Sequence, residues 1–385
     1  MRISKKVEQL APSGIRAFFD LVLGMKDVIS LGVGEPDFVT PWHIREKAIY
    51  SLEKGYTSYT SNKGMVELRK ELDSFLEHRF GINYDWEEEM LITVGVSEGM
   101  DLAMRAILNP GDKVVIPQPA YVSYGPCVDL AGGKPIFLET TLQSKFKVTP
   151  KQIDEACQKE KNVKALLMGY PGNPTGASYT KTELNDIARV VLKHGLLVVS
   201  DEIYDELTYD FEHTPFASLK GMKNRTVYLN GFSKAYAMTG FRIGWACGPK
   251  DIIAAMTKIH QYTIMCVPIT SQMAAIEALH SGAKSVAKMK EEYLRRRRFV
   301  VQSLNEIGLE CHTPEGAFYV FPSIKKVKQS SLDFAKDLLE KKKVALVPGV
   351  AFGKFCDQYV RISYASSFEN LKEAMARIGS YINKS

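Results

Sequence analysis

Apolar residues in this chain come in short runs separated by stretches of helical spacing. Met90 to Val94, Lys113 to Ile116, Pro135 to Glu139, Ala165 to Met168, Leu196 to Val199 and Val227 to Asn230 each read as strands. Several are apolar throughout rather than alternating, as a strand covered on both faces requires. Between them lie helical patterns, over Trp42 to Lys54, over residues 65 to 80, and where Met100, Ala103, Met104, Ile107 and Leu108 recur before Asn109, Pro110 and Gly111 stop the helix. Thr40 and Pro41 offer an N-cap followed by proline at the first helical position. Gly55 to Gly64, GYTSYTSNKG, is rich in turn formers and reads as a loop. Strands alternating with helices predict an α/β fold, a mostly parallel sheet with helices on both faces.

From about residue 285 the pattern changes. A long charged helix carrying Arg295 to Arg298 is followed by GAFYVFPS, VALVPG and YVRISYA, short strands interleaved with helices, which predicts a smaller α+β domain. Four consecutive arginines on a helix spread over all its faces, and Glu291 and Glu292 flank them, so a solvated helix is expected. Period-two alternation in YVRISYA sets Arg361 and Ser363 on one face and Val360 and Ile362 on the other. Residues 1 to 30 read as an irregular or helical arm leading to a strand at Val28 to Leu31, after which LGVGEPDF turns at Gly34 and Pro36.

Polar residues follow the apolar runs where ligands sit in open α/β sheets, beyond the carboxyl ends of strands. PGNPTG, Pro171 to Gly176, follows one run, and SDEIY, Ser200 to Tyr204, follows the next. Ser233 to Trp245, SKAYAMTGFRIGW, packs a lysine and an arginine with two glycines between apolar residues. A lysine amine forms a Schiff base with an aldehyde once burial or a nearby positive charge lowers its pKa, which makes Lys234 the candidate reactive group. Arg242 supplies such a charge or binds a phosphate with its planar fork, and Gly240 and Gly244 would let backbone approach closely. The helix that starts at the Gly95, Val96, Ser97 turn presents free amides and a positive dipole end, which also suits a phosphate. The combination points to an aldehyde cofactor that carries a phosphate. Taken singly, each feature has a plainer reading: a surface lysine, a core-edge arginine, a plain strand-to-helix turn.

In their order and spacing, PGNPTG, SDEIY and SKAYAMTGFRIGW, with LGVGEPDF before them and YVRISYA after, resemble the fold type I pyridoxal-phosphate aminotransferases of the aspartate aminotransferase superfamily. The resemblance implies pyridoxal 5′-phosphate, a seven-stranded large domain over residues 45–284, and a small domain made of residues 285–385 with part of the amino-terminal segment 1–44. It makes Lys234 the covalent anchor and general base, Asp201 the partner of the pyridine nitrogen, Asn173 and Tyr204 the donors to the ring's phenolate oxygen, and Tyr121 the aromatic stacked on the ring. Ser233, Arg242 and the Gly95, Val96, Ser97 turn become the phosphate cradle. Arg361 and Gly34, with Asn173, hold the substrate α-carboxylate. Tyr59 reaches across a homodimer interface to the partner's cofactor. Many relatives carry a serine three residues before the lysine, where this chain has Gly231, so one phosphate contact is expected to be lost or replaced. The implied reaction moves the amino group of an L-amino acid to a 2-oxo acid such as 2-oxoglutarate, with an aspartate, aromatic or N-acetyl-diaminopimelate type of donor. A C–S or β-eliminating lyase of the same fold would keep the same cofactor residues. A ligand-sensing domain of a transcription regulator would need an added winged-helix domain.

Composition narrows this picture without changing it. At 385 residues the chain exceeds one hydrophobic core. Fifty basic against 44 acidic residues, net +6, leave no nucleic-acid footprint. The six cysteines are scattered without metal spacing or a disulfide framework, and read as reduced thiols of a cytoplasmic protein. No run of eighteen apolar residues occurs, so no membrane span is expected.

Overall fold

A seven-stranded sheet forms the centre of the molecule, in a computed structural model that describes residues 3–8, 10, 12 and 25–383. The strands in chain order are β1 (Ile29–Ser30), β2 (Met90–Thr93), β3 (Lys113–Gln118), β4 (Lys134–Glu139), β5 (Val163–Gly169), β6 (Leu197–Asp201), β7 (Thr226–Gly231), β8 (Gly244–Cys247), β9 (Tyr319–Val320), β10 (Val344–Ala345), β11 (Val347–Pro348) and β12 (Val360–Ser363). The large sheet has the order β2-β8-β7-β6-β5-β3-β4, and only β8 runs against its neighbours. The expected mostly parallel α/β sheet is therefore present.

Both faces of this sheet are covered, which explains the uninterrupted apolar runs. Val114, Ile116, Ala165 and Leu167 pack on one side against the helices Gly95–Ile107 and Lys250–Thr263, through Met104 and Met256 among others. Their neighbours Val115, Leu166 and Met168 face the other side, where Ile153, Leu184 and Ile187 come from the helices Pro150–Lys159 and Lys181–His194. Alternate residues of one strand thus serve two cores, one on each face of the sheet.

The short strands lie apart from this sheet. β11, β12 and β9 make an antiparallel three-stranded sheet, and β1 pairs in parallel with β10. A separate apolar cluster joins Leu31, Val344 and Ile362 to the helices Ala283–Glu306, Ser331–Lys342 and Phe368–Ile382. β12 is the middle strand of its sheet and all four of its residues are buried, so both faces set by the period-two alternation, Arg361 with Ser363 and Val360 with Ile362, are covered. Residues 1, 2, 9, 11 and 13–24 of the amino-terminal arm lie outside the described residues; Lys5–Glu8 form one helical turn.

Two expectations need correction. Thr40 does not cap the helix Trp42–Glu53: the N-cap is Pro41, without a side-chain cap bond, and the Thr40 hydroxyl instead donates to the Ala237 carbonyl at 2.5 Å. The arginine run is only half solvated. Arg295 and Arg298 are exposed, but Arg296 and Arg297 are buried, because two of four consecutive helical positions must face inward. Acidic residues from distant segments neutralise them: Asp37, with Glu292, for Arg296 and Asp210 for Arg297.

Candidate active site

The carboxyl ends of β5, β6 and β7 deliver Asn173, Asp201, Ser233 and Lys234 to one cavity of about 700 Å³, together with Tyr121, Tyr204, Arg242 and Arg361. The Lys234 side chain crosses it and donates to the Gly34 carbonyl at 2.7 Å. Burial is the main cause that lowers its amine to about 8; Arg361 and Arg242 push the same way, and Glu35 and Asp201 oppose them. Part of the amine is therefore an unprotonated nucleophile near neutral pH.

Asp201 closes the end of β6 and is buried. Burial raises its carboxyl to about 6, with the Tyr124 hydroxyl, donating to Oδ2 at 2.8 Å, and the Ile203 amide, donating to Oδ1 at 3.3 Å, pulling it back. It is mainly ionised at neutral pH, and a cationic group brought beside it would hold it so. Tyr121 lines the cavity, edge-on to Tyr124 with centroids 5.7 Å apart.

A corner suited to an anion lies at the start of the helix Gly95–Ile107. Gly95 stands there with φ +71°, and a Cβ on it would come 2.7 Å from Arg242 Nη2. A Cβ on Gly244 would come 2.9 Å from the Val96 amide nitrogen, so that glycine lets β8 lie against the helix start. Gly240 has nothing within 4 Å of its Cβ position, so the close approach expected there is absent and only Gly244 provides one. Val96, Ser97 and Ser233 line the cavity beside Arg242, whose Nη1 donates to the Thr239 carbonyl at 3.0 Å. Gly231 leaves no room for a longer side chain: its Cβ would stand 2.9 Å from Gly244 Cα.

Arg361 closes the opposite end. It is buried, and its partners are neutral: Nη1 donates to Asn173 Oδ1 at 2.9 Å and Nη2 to the Gly32 carbonyl at 2.5 Å. Nε has no partner, and among the described residues no carboxylate pairs with this guanidinium. The rings of Tyr319 and Phe352 lie 4.6 and 5.2 Å from it. A Cβ on Gly34 would meet the Tyr319 hydroxyl at 2.9 Å and both Nη atoms at 3.8 Å, so glycine keeps the front of the fork open. Tyr204 and Tyr319 share a hydrogen bond of 2.7 Å between their hydroxyls.

Tyr59 stands apart from this cavity and is 81 % exposed. Reading the sequence alone missed Tyr124, Tyr319, Glu35 and Thr239. Tyr319 sits inside GAFYVFPS, a string already singled out, and Tyr124 three residues after Tyr121, but only the tertiary contact to Asp201 or to Arg361 separates them from core aromatics.

Comparison with known proteins decides the family. Residues 26–378 match the family described as aminotransferase class I and II. The chain belongs to the class I and II aminotransferases. It is 53 % identical over 382 residues to the aminotransferase YugH of Bacillus subtilis (strain 168), covering 99 % of this chain and 98 % of that one. It is 43 % identical to an aspartate aminotransferase of Pyrococcus abyssi, covering 98 % and 97 % of the two chains. The crystal structure of an aromatic aminotransferase from Pyrococcus horikoshii OT3 superposes with a TM-score of 0.91 at 42 % identity, covering 96 % of this chain and 99 % of that one.

Class I and II aminotransferases use pyridoxal phosphate, and the residues of this cavity fit that group. The anion corner suits the phosphate, Asp201 is a carboxylate placed for a protonated ring nitrogen, and Lys234 lies between them with a lowered pKa. In this aminotransferase the fit leaves Arg361 over, a buried cation that no carboxylate among the described residues pairs with.

Proposed function

We propose that the chain transfers the amino group of an L-amino acid to a 2-oxo acid, with 2-oxoglutarate as acceptor, at a site whose substrate end is Arg361. The observation that carries this reading is the buried Arg361 fork with neutral partners only. A guanidinium does not shed its charge on burial, so it calls for an anion, and a planar carboxylate matches its geometry. Gly34 leaves the approach clear, and Asn173 orients the fork from the side.

Pyridoxal phosphate, when bound, supplies an aldehyde for the lysine and a conjugated ring that takes up the electron pair left at the substrate α-carbon. Lys234 Nζ is the covalent anchor and the base that moves the α-proton. Asp201 would hold the ring nitrogen protonated, Tyr124 keeps that carboxylate in place, Asn173 and Tyr204 would donate to the ring oxygen, and Tyr121 would stack on the ring. Ser233, Arg242 and the amides of Gly95, Val96 and Ser97 bind the phosphate. The donor is an amino acid of the aspartate, aromatic or N-acetyl-diaminopimelate type, and relatives bearing the first two names are almost equally identical to this chain. We further propose that residues 45–284 form the large domain and that residues 285–385 with part of the segment 1–44 form the small one, supported by apolar clusters each drawn mainly from one of the two. The free thiols support a cytoplasmic setting.

The exposure of Tyr59 supports a homodimer in which it serves the partner's cofactor phosphate while Lys234 serves its own site. One experiment tests the anchor and the sharing together. Lys234→Ala and Tyr59→Ala homodimers are expected to be nearly inactive with an amino donor and 2-oxoglutarate. Mixed with verified subunit exchange, about a quarter of the sites should regain activity, since two-fold symmetry puts both lesions in one site of each hybrid. An active Lys234→Ala protein sinks the assignment. Two inactive parents whose hybrid stays inactive return Tyr59 to its own subunit.

A further inference from the structure

The segment from Gly32 to Pro41 crosses the mouth of the cavity without helix or strand, between β1 and the helix Trp42–Glu53. Two of its carbonyls touch the reacting centre: Gly32 accepts from Arg361 and Gly34 from Lys234. No ladder of backbone bonds fixes its height over the site, so side-chain fasteners must. Thr40 is tied to the Ala237 carbonyl, and Glu35 accepts from the Thr239 hydroxyl at 3.2 Å on the exposed side. The strongest fastener is Asp37, whose two oxygens lie 2.8 and 2.9 Å from Arg296 Nη1.

Arg296 is built for this contact rather than for solvent. Its side chain is 6 % exposed, its Nε is held by Glu292 at 2.9 Å, and its guanidinium lies over the rings of Phe38 and Tyr293 at 5.2 and 5.6 Å. Phe38 follows Asp37 in the strap and meets Tyr293 edge-on at 5.3 Å. The arginine therefore grips two consecutive strap residues, one by charge and one by its face. Asp37 is three residues from Gly34, at most about 11 Å of extended chain, so slack at Asp37 reaches the carbonyls that face Lys234 and Arg361.

We propose that the Arg296–Asp37 pair is the positioning device for the substrate-carboxylate end of the site, setting where Gly32 and Gly34 stand against Arg361. The proposal rests on the aminotransferase reading for the role of Arg361, not for the strap itself. Neither residue of the pair lines the phosphate corner, which the strap meets only through the exposed Glu35–Thr239 contact, so the pair should govern carboxylate binding more than cofactor binding.

Asp37→Asn removes the charge and keeps the shape, and Arg296 retains Glu292. The holoenzyme variant is expected to show a KM for its amino donor raised about tenfold and a kcat within threefold of the parent, with binding of maleate, a non-reacting carboxylate, weakened by a similar factor. The Kd for pyridoxal phosphate, from fluorescence quenching of the apoprotein, should change by less than threefold. Arg296→Met should raise KM comparably, and the double variant should be no worse than the worse single one, as residues acting through one contact require. Unchanged KM and maleate binding in Asp37→Asn overturn the proposal, as does a parallel loss of cofactor affinity, which would make the pair a general prop of the fold. Failure of the aminotransferase reading looks different: the parent itself would not turn over, while the maleate comparison would still report on the strap.

Discussion

Asp201 and Arg361 are both buried and both face one cavity, yet each is satisfied in a different way. Asp201 ends a strand in the middle of the seven-stranded sheet, and two donors, Tyr124 and the Ile203 amide, meet its carboxylate. Arg361 lies on the middle strand of the small sheet, is met by a carbonyl and an amide oxygen, and has an orphaned Nε. The acid has an escape, because a carboxyl raised to about 6 can take up a proton. The arginine has none. The Asp201 end is thus preorganised by the protein, whereas the Arg361 end is completed by whatever anion arrives. On the proposed reading a free amino acid supplies that anion, with its amine directed toward Lys234.

The widest separation between the two ends should come from Asp201→Asn, which keeps the shape and removes the negative charge. A loss on the order of 10²-fold in the chemical step is expected, within what electrostatic stabilisation supplies. Single-turnover kinetics with a saturating donor would report it. A change under threefold would mean that the ring nitrogen needs no anionic partner, and the contrast between the ends would collapse.

At the other end, Arg361→Lys exchanges a fork for a point charge at a position where no carboxylate among the described residues pairs with it. KM should rise for every amino donor, by roughly tenfold or more for the lost charge-assisted bond, while the cofactor Kd stays as it was. Steady-state kinetics over several donors check this. An unchanged KM across them would hand the carboxylate to another residue.

The two ends also differed in how readable they were. Asp201, Ser233 and Lys234 follow strands whose apolar runs are plain, so their delivery to one edge followed from strand order and the rule for ligand positions in open sheets. The Arg361 end unites Gly32, Asn173 and Arg361, three segments that only the tertiary fold brings together. Family resemblance named Asn173 and Arg361, with Gly34 in place of Gly32; their pattern alone did not. Arg296 was misread for a related reason. Local charge patterning shows that an arginine run is diluted by nearby glutamates, but not that Asp37, 259 positions away, waits for one of its members. Thr40 failed likewise, its hydroxyl taken by a carbonyl 197 positions on.

The smallest predicted effect concerns Gly231 and asks how rigid the Asp201 side is. Relatives with serine three residues before the lysine suggest that a hydroxyl here would add a phosphate contact. The packing argues otherwise. Gly231 pairs with Gly244 across β7 and β8, and a Cβ at 231 would press on Gly244 Cα at 2.9 Å and on the Ile243 carbonyl at 3.0 Å, backbone atoms that yield only if the strands move apart. Gly244 in turn lies against the Val96 amide, so a displaced β8 would disturb the helix start that forms the anion corner. Gly231→Ser should therefore lower stability by about 1–3 kcal/mol, the usual cost of overpacking, and leave pyridoxal phosphate affinity unchanged or slightly weaker. Denaturant melts of the apoprotein and a cofactor titration measure the two quantities. A variant that binds the cofactor more tightly at undiminished stability would show that the strand pair adapts, and that the protein tunes this end of its site as freely as the carboxylate end.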